Sequence, residues 1–136
     1  MNEITIPFHL AIPSALCIVG LLIIFIKRKQ LFTGGQRTAL WISIIVFLLF
    51  YLFIVGSATY DDIYYQWDLN RYDLDKDGFF GGKEITKEQE ASMERLTNDV
   101  GRNFAFITGL ISSFLISVMV YLVGRIFILS KARKVD

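Results

Sequence analysis

The sequence predicts an all-α integral membrane protein: a three-helix transmembrane bundle with an extracytoplasmic helix–loop–helix insertion between spans two and three. Three observations carry this prediction. Apolar residues make up 54% of the 136-residue chain, and they are concentrated in three blocks. Basic residues flank these blocks on one side, and an acidic stretch separates the last two. The chain therefore divides into residues 1–60, 61–102 and 103–136.

Each apolar block has the length of one membrane crossing. The blocks run from Pro7 to Ile26, from Thr38 to Tyr60 and from Phe104 to Val123. Each is close to the roughly 20 residues that a helix needs to cross about 30 Å of hydrocarbon. Helices are predicted because a helix satisfies its own backbone hydrogen bonds in lipid. A soluble fold is disfavoured because too little polar chain remains to cover three such blocks.

The charges predict the orientation of the spans. One side carries eight basic residues against one acid: Lys27, Arg28, Lys29, Arg37, Arg125, Lys131, Arg133 and Lys134 against Asp136. Residues 61–102 instead hold eleven acidic and six basic residues, a net charge of −5. Because short loops rich in Lys and Arg stay in the cytoplasm, residues 27–37 and the C-terminus are predicted inside. The N-terminus and residues 61–102 are predicted outside. The short connections favour a bacterial inner (plasma) membrane.

The first block could be mistaken for a cleavable signal peptide. Its basic residues follow the apolar run, whereas a signal peptide carries them before it. The block is therefore predicted to be a retained span.

Residues 73–84 carry the pattern of a metal-binding loop. They match D-x-[DN]-x-[DN]-G-x5-E at every fixed position. The expected ligands are the side chains of Asp73, Asp75, Asp77 and Glu84, the carbonyl of Phe79 and, through a water, the position of Gly81. Calcium is the predicted ion because it takes six to eight oxygen ligands, whereas magnesium dehydrates reluctantly and prefers fewer protein ligands.

This loop resembles the calcium-binding loop of the EF-hand family, and the resemblance covers residues 61–100 but not the spans. It implies an entering helix over residues 61–72 and a Glu84 side chain that binds through both oxygens. Thr86 and Gln89 form a capping-box pair, so the exiting helix is predicted to begin at Thr86. A register that uses Glu88 in place of Glu84 needs an insertion and is less favoured.

EF-hands usually occur in pairs, and this chain has one. Phe80, at the eighth loop position, therefore has no internal partner loop. Its partner is left open between a second copy of the chain, another protein, the aromatic residues Tyr64 and Trp67, and simple local packing.

Small residues recur at four-residue intervals along span three: Ala105, Gly109, Ser113 and Ser117. On a helix they form one stripe, which allows another backbone to approach closely. Packing against spans one and two of the same chain is the favoured interpretation, and a seam between molecules is the alternative.

The leading functional hypothesis is an accessory or structural subunit of a larger membrane protein complex, with a calcium-stabilised outer domain. Its predicted partners are the lipid bilayer and other membrane subunits. One alternative is a calcium-responsive homo-oligomeric channel or channel regulator, with a pore lined by Ser43, Ser113 and Ser117. Another is a pigment- or haem-associated subunit that uses His9, the single histidine.

Two function classes are not expected. The sequence has no cluster of catalytic residue types, no phosphate-binding glycine loop and no zinc spacing, so the chain is not expected to be an enzyme. Nucleic acid is not an expected partner, because the basic segments are short and fit membrane orientation.

Overall fold

The structure, a computed structural model, describes residues 4–132, and 82% of these residues are helical with no strand among them. The helices are α1 (Phe8–Leu31), α2 (Gly35–Asn70), α3 (Lys87–Thr97), α4 (Val100–Asn103) and α5 (Ala105–Ala132), with a 3₁₀ turn at Gly82–Glu84. The basic tail residues Arg133 and Lys134, like the first three residues, lie outside the described part of the chain.

Three helical stretches, which contain α1, α2 and α5, are long and apolar enough to cross a membrane. This confirms the predicted all-helical architecture with three long apolar helices. At most 22% of the apolar window in any of these stretches is buried inside the protein. Most of the apolar surface therefore faces outward, as expected for helices that have lipid rather than water around them.

The helix α2 lies at the centre of the bundle and packs against both α5 and α1, whereas α1 and α5 contact each other only slightly. Two small buried clusters join the three helices. One is built on Leu10, Ala58 and Ala105, and the other on Cys17, Tyr51 and Val55; Phe106 packs against both. The hydroxyl of Tyr51 donates a hydrogen bond of 3.0 Å to the Phe106 carbonyl, which ties α2 to the start of α5.

The boundary expected between span two and the outer segment falls inside a continuous helix. The helix α2 runs for 36 residues through Tyr60, Asp61 and Asp62 without a break. The physical reason is that charged residues end the apolar surface of a helix but do not end the helix itself. Span two and the entering helix of the metal loop are therefore one rigid element, about 54 Å long at 1.5 Å per residue.

Candidate metal centre

The metal loop begins where α2 ends and closes before α3 begins. The N–H groups of Arg71 and Tyr72 still donate to the carbonyls of Asp68 and Leu69, so α2 closes with one tight turn. The chain then curls through residues 73–81 into the 3₁₀ turn at Gly82–Glu84. The Thr86 hydroxyl accepts a hydrogen bond of 3.1 Å from the Gln89 N–H, and α3 starts there as the capping pair predicted.

Three carboxylates converge in the loop. Oxygen atoms of Asp73, Asp75 and Glu84 all lie within 4.8 Å of one another. Ligands of one calcium ion stand about 2.3–2.6 Å from it, so two of them are at most about 5 Å apart. The three oxygens therefore fit a shared calcium ion. Asp73 and Glu84 are buried and Asp75 is exposed, which leaves the site open to solvent on one side.

Asp73 organises the first half of the loop. Its Oδ1 accepts a 2.7 Å hydrogen bond from the Lys76 N–H, and its Oδ2 accepts one of 3.0 Å from the Gly78 N–H. These bonds require the backbone to turn back on itself. Gly78 does so at φ 87°, in the left-handed region that glycine reaches without strain, and Lys76 adopts φ 62°. The glycine in the sequence pattern is thus explained by the bend.

Glu84 joins the two halves of the loop. Its Oε1 accepts hydrogen bonds from the N–H groups of Leu74 (2.7 Å) and Asp75 (3.3 Å), and its Oε2 accepts one of 3.2 Å from Gly81. The last carboxylate of the pattern therefore lies against the first residues of the loop. Glu88, the alternative ligand, is exposed in the first turn of α3 and is not part of the close group.

The remaining predicted ligands lie on the solvent-exposed side of the loop. Asp77 is outside the close group of three, and its Oδ1 accepts a 2.7 Å hydrogen bond from the Phe79 N–H. Phe79 is 79% exposed, Gly81 is exposed, and Phe80 is half-buried. The structure thus brings Asp73, Asp75 and Glu84 together, while the oxygen of Asp77 would have to approach them for a fourth carboxylate ligand.

The electrostatics of Asp75 reflect this crowding of negative charge. A hydrogen bond from the Asp77 backbone lowers the pKa of Asp75, whereas partial desolvation and the neighbouring carboxylates of Asp77, Glu84 and Asp73 raise it. The net direction is a raised pKa. A bound cation would reverse the effect of the neighbouring carboxylates, because it favours the ionised form.

The stripe of small residues packs within the chain. A Cβ added at Gly109 would lie 2.9 Å from Cγ2 of Ile54 and 3.4 Å from Cδ2 of Tyr51, both on α2. Ala105 and Ser113 are buried, and Ser117 is half-buried. The Ser113 hydroxyl has no hydrogen-bond partner among the described residues. These residues act through their small size, which lets α5 approach α2.

His9 lies at the N-terminal end of α1 and is exposed. Its ring meets the edge of the Phe106 ring at a centroid distance of 5.9 Å. It belongs to no group of three or more metal-ligating side chains, since the one such group among the described residues is in the loop.

Sequence reasoning missed Arg102, the buried cation of the outer segment. Its side chain is 3% exposed, and its Nε lies 3.1 Å from Oδ1 of Asp62 on α2. Its guanidinium also donates to the carbonyls of Arg95 and Leu96 at the end of α3 and lies 5.2 Å from the Tyr65 ring centre. Arg102 therefore holds the C-terminal end of α3 against α2. In the sequence it resembles any other basic residue of a polar loop, so no signal identified it.

A second unforeseen contact continues from Asp62. Oδ2 of Asp62 accepts a 2.8 Å hydrogen bond from the Gln66 side-chain amide. The Gln66 amide oxygen accepts a bond of 2.7 Å from the Thr5 N–H, and its nitrogen donates one of 2.9 Å to the Thr5 carbonyl. The segment before α1 is thus fastened to the outer part of α2. Pairing between residues 61 positions apart has no local sequence signal.

Comparison with known proteins adds no family: no protein-family model, no characterised protein and no solved structure matches this chain.

Proposed function

We propose that this chain is a small membrane protein whose outer segment, residues 61–102, is held in shape by one calcium ion, and that it serves as an accessory subunit of a larger membrane complex. The observation that supports the calcium site is the convergence of Asp73, Asp75 and Glu84 within 4.8 Å. Three carboxylates this close repel one another, and a divalent cation at their centre removes that repulsion.

The proposed location makes calcium a structural element rather than a fast signal. Extracellular calcium sites bind at about 10⁻⁴–10⁻³ M. A site with a dissociation constant of about 10⁻⁴ M in about millimolar calcium stabilises the bound form by about 1.4 kcal/mol. The site would stay mostly filled, so its effect is to order the loop and the helix α3 that follows it.

The surface of the outer segment supports the role of a subunit. Several large apolar side chains around the loop and beyond α3 are exposed: Leu74 (71%), Phe79 (79%), Ile85 (54%) and Val100 (66%). They lie outside the three apolar spans, where lipid would not cover them. Exposed apolar groups beside a charged loop are typical of a surface that contacts another protein. A calcium ion that orders the loop would also hold these side chains in place for a partner.

The alternative of a serine-lined pore is not favoured. Ser113 is fully buried inside the single chain, and the Ser43 hydroxyl donates to the Leu40 carbonyl of its own helix. Both serine side chains are buried within the single chain. Among the described residues, the exposed His9 is not part of a group of three or more metal-ligating side chains, and no observation favours the pigment or haem alternative.

The test of the calcium site is limited proteolysis and hydrogen exchange of the solubilised chain in calcium and in chelator. Calcium is expected to slow cleavage and exchange over residues 71–97, and to leave exchange in α1 unchanged. Glu84→Gln should abolish the calcium effect, because it removes one buried carboxylate charge. Glu88→Gln is the matched control and should retain it. An equal loss in both variants, or no calcium effect in the unmodified chain, would contradict the proposal.

The subunit role has a separate test. Gentle solubilisation with and without chelator, followed by mass analysis of co-migrating chains, should recover other membrane subunits with this chain. Recovery should fall in chelator and in Glu84→Gln. A chain that migrates only with copies of itself would instead support the homo-oligomer.

A further inference from the structure

A groove runs between α1 and α2 in the half of the bundle that carries the basic loop. It has a volume of about 600 Å³, within the roughly 300–1,000 Å³ of ligand pockets. Its walls include Leu21, Phe25, Ile45 and Leu49, and the one polar side chain that lines it is Arg28. The groove is therefore an apolar slot with a single cation at its basic end.

A second cavity adjoins the groove at that end. It has a volume of about 370 Å³ and is lined by Arg28, Lys29 and Phe32. Because Arg28 and Phe32 line both spaces, the apolar slot opens into a recess that carries two positive charges. The guanidinium of Arg28 lies 4.8 Å above the centre of the Phe25 ring, which holds it against the wall of the slot.

Neither Arg28 nor Lys29 is in an ion pair with another residue that the structure describes. The sequence contains no Asp or Glu from residue 4 to residue 60, which covers all of α1 and the part of α2 that faces it. Two cations beside an apolar slot fit a ligand that has an anionic head and an apolar tail. Basic pockets between membrane helices on the cytoplasmic side bind the head groups of anionic lipids.

We infer that this groove binds one anionic phospholipid of the inner leaflet, with an acyl chain in the slot and the phosphate in the recess at Arg28 and Lys29. The inference rests on the membrane placement in the proposed function, but not on the calcium site. The phosphate accepts hydrogen bonds from the Arg28 guanidinium, which is the planar donor suited to that geometry. The acyl chain covers the apolar wall that α1 and α2 leave open.

The test is native mass spectrometry of the purified chain incubated with phosphatidylglycerol or with phosphatidylcholine of identical acyl chains. One phosphatidylglycerol is expected to remain bound per chain, in preference to phosphatidylcholine. Arg28→Gln should weaken retention of phosphatidylglycerol about five-fold, as one basic contact contributes roughly that factor. Arg37→Gln is the control, because it removes the same charge from outside the groove lining. Equal retention of both lipids, or an equal loss in both variants, would overturn the inference.

The slot itself is tested by filling it. Ile45→Trp places a large ring in the slot and should reduce retention of phosphatidylglycerol, whereas Ile42→Trp, at an exposed position of the same helix, should not. If Ile45→Trp instead removed a co-purified protein and left bound lipid unchanged, the groove would hold a partner helix and the inference would be wrong. Calcium protection of residues 71–97, measured in the same samples, should be unaffected in all four variants. Its absence in the unmodified chain would overturn the calcium proposal alone, whereas recovery of the chain in the soluble fraction would overturn the proposed membrane role together with the lipid inference.

Discussion

The bundle and the outer segment of this molecule are held together by different means. In the bundle, α2 and α5 approach through small residues such as Gly109, and one interhelical hydrogen bond, from Tyr51, adds to the fit. In the outer segment, the contacts between elements include three charged or polar pairs: Arg102 with Asp62, Ser92 with Asp68, and Gln66 with Thr5. The bundle thus relies more on the close fit of small side chains, and the outer segment relies more on specific polar pairs. The helix α2 takes part in both.

The largest expected effect comes from the buried cation of the outer segment. Arg102→Met would leave Asp62 and the carbonyls of Arg95 and Leu96 without their partner. Breaking a buried ion pair in this way costs about 3–5 kcal/mol. Hydrogen exchange should show α3 and α4 losing protection while α1 keeps its own. Arg71→Met is the control, since the Arg71 side chain is 62% exposed and such a solvent-accessible cation contributes about 0–1 kcal/mol to its ion pair. If the bundle helices lost as much protection as α3 and α4, the bundle and the outer segment would not be stabilised separately.

The next largest effect is expected from overpacking the contact between α2 and α5. In Gly109→Ile the new side chain starts 2.9 Å from Cγ2 of Ile54, so α5 must move away from α2. Overpacking of this kind costs about 1–3 kcal/mol. Thermal unfolding in detergent should occur at a lower temperature, with calcium protection of the loop retained. At Gly56 an added Cβ meets nothing closer than 3.8 Å, so Gly56→Ile should change unfolding less. Indistinguishable unfolding of the two variants would rule out close packing at Gly109.

A smaller effect is expected from the hydrogen bond that Tyr51 makes between α2 and α5. Tyr51→Phe keeps the ring and removes the hydroxyl that donates to the Phe106 carbonyl. Hydrogen bonds between membrane helices contribute about 0.6 kcal/mol on average. The free energy of unfolding should fall by about that amount. A loss as large as that of Arg102→Met would show that polar pairing dominates the bundle as well.

The smallest expected effect is a change of loop stability with pH. It should occur in the candidate metal loop and not in the bundle. An acid whose pKa is raised by folding, as for Asp75, holds its proton more tightly in the folded chain than in the unfolded one. Without calcium, the loop should therefore gain stability as the pH falls through that raised pKa. Calcium needs the carboxylate form, so calorimetry should show calcium binding weaken over the same fall. The bundle of α1, α2 and α5, which has no acid in its apolar blocks, should unfold independently of this change. Calcium affinity that stayed constant with falling pH would contradict the account of Asp75.

The three helices could be predicted from the sequence because a membrane crossing depends on length and composition, which are local. The ends of the helices could not. α1 continues through Lys27 to Leu31, and α2 continues through Asp61 to Asn70, since a charged residue ends the apolar surface of a helix but does not by itself break the helix. The connection between them is correspondingly shorter than the predicted loop 27–37.

The candidate metal site also has features that the sequence predicts and features that it does not. Asp73, Asp75 and Glu84 could be predicted because the spacing of the loop brings nearby residues to one centre, and the start of α3 could be predicted from its capping pair. Arg102 and the contact between Thr5 and Gln66 could not, because each joins parts of the chain far apart in sequence. The pairing of a buried cation with one particular acid among eleven depends on the tertiary fold.

The unbroken α2 gives the molecule a mechanical property. A helix about 54 Å long that pivots by about 10° near its inner end moves its outer end by about 9 Å. The loop at Asp73 begins three residues after that end. If α2 crosses a bilayer as we propose, a change in bilayer thickness that tilts it would displace the candidate metal loop by a distance that grows with the length of the helix.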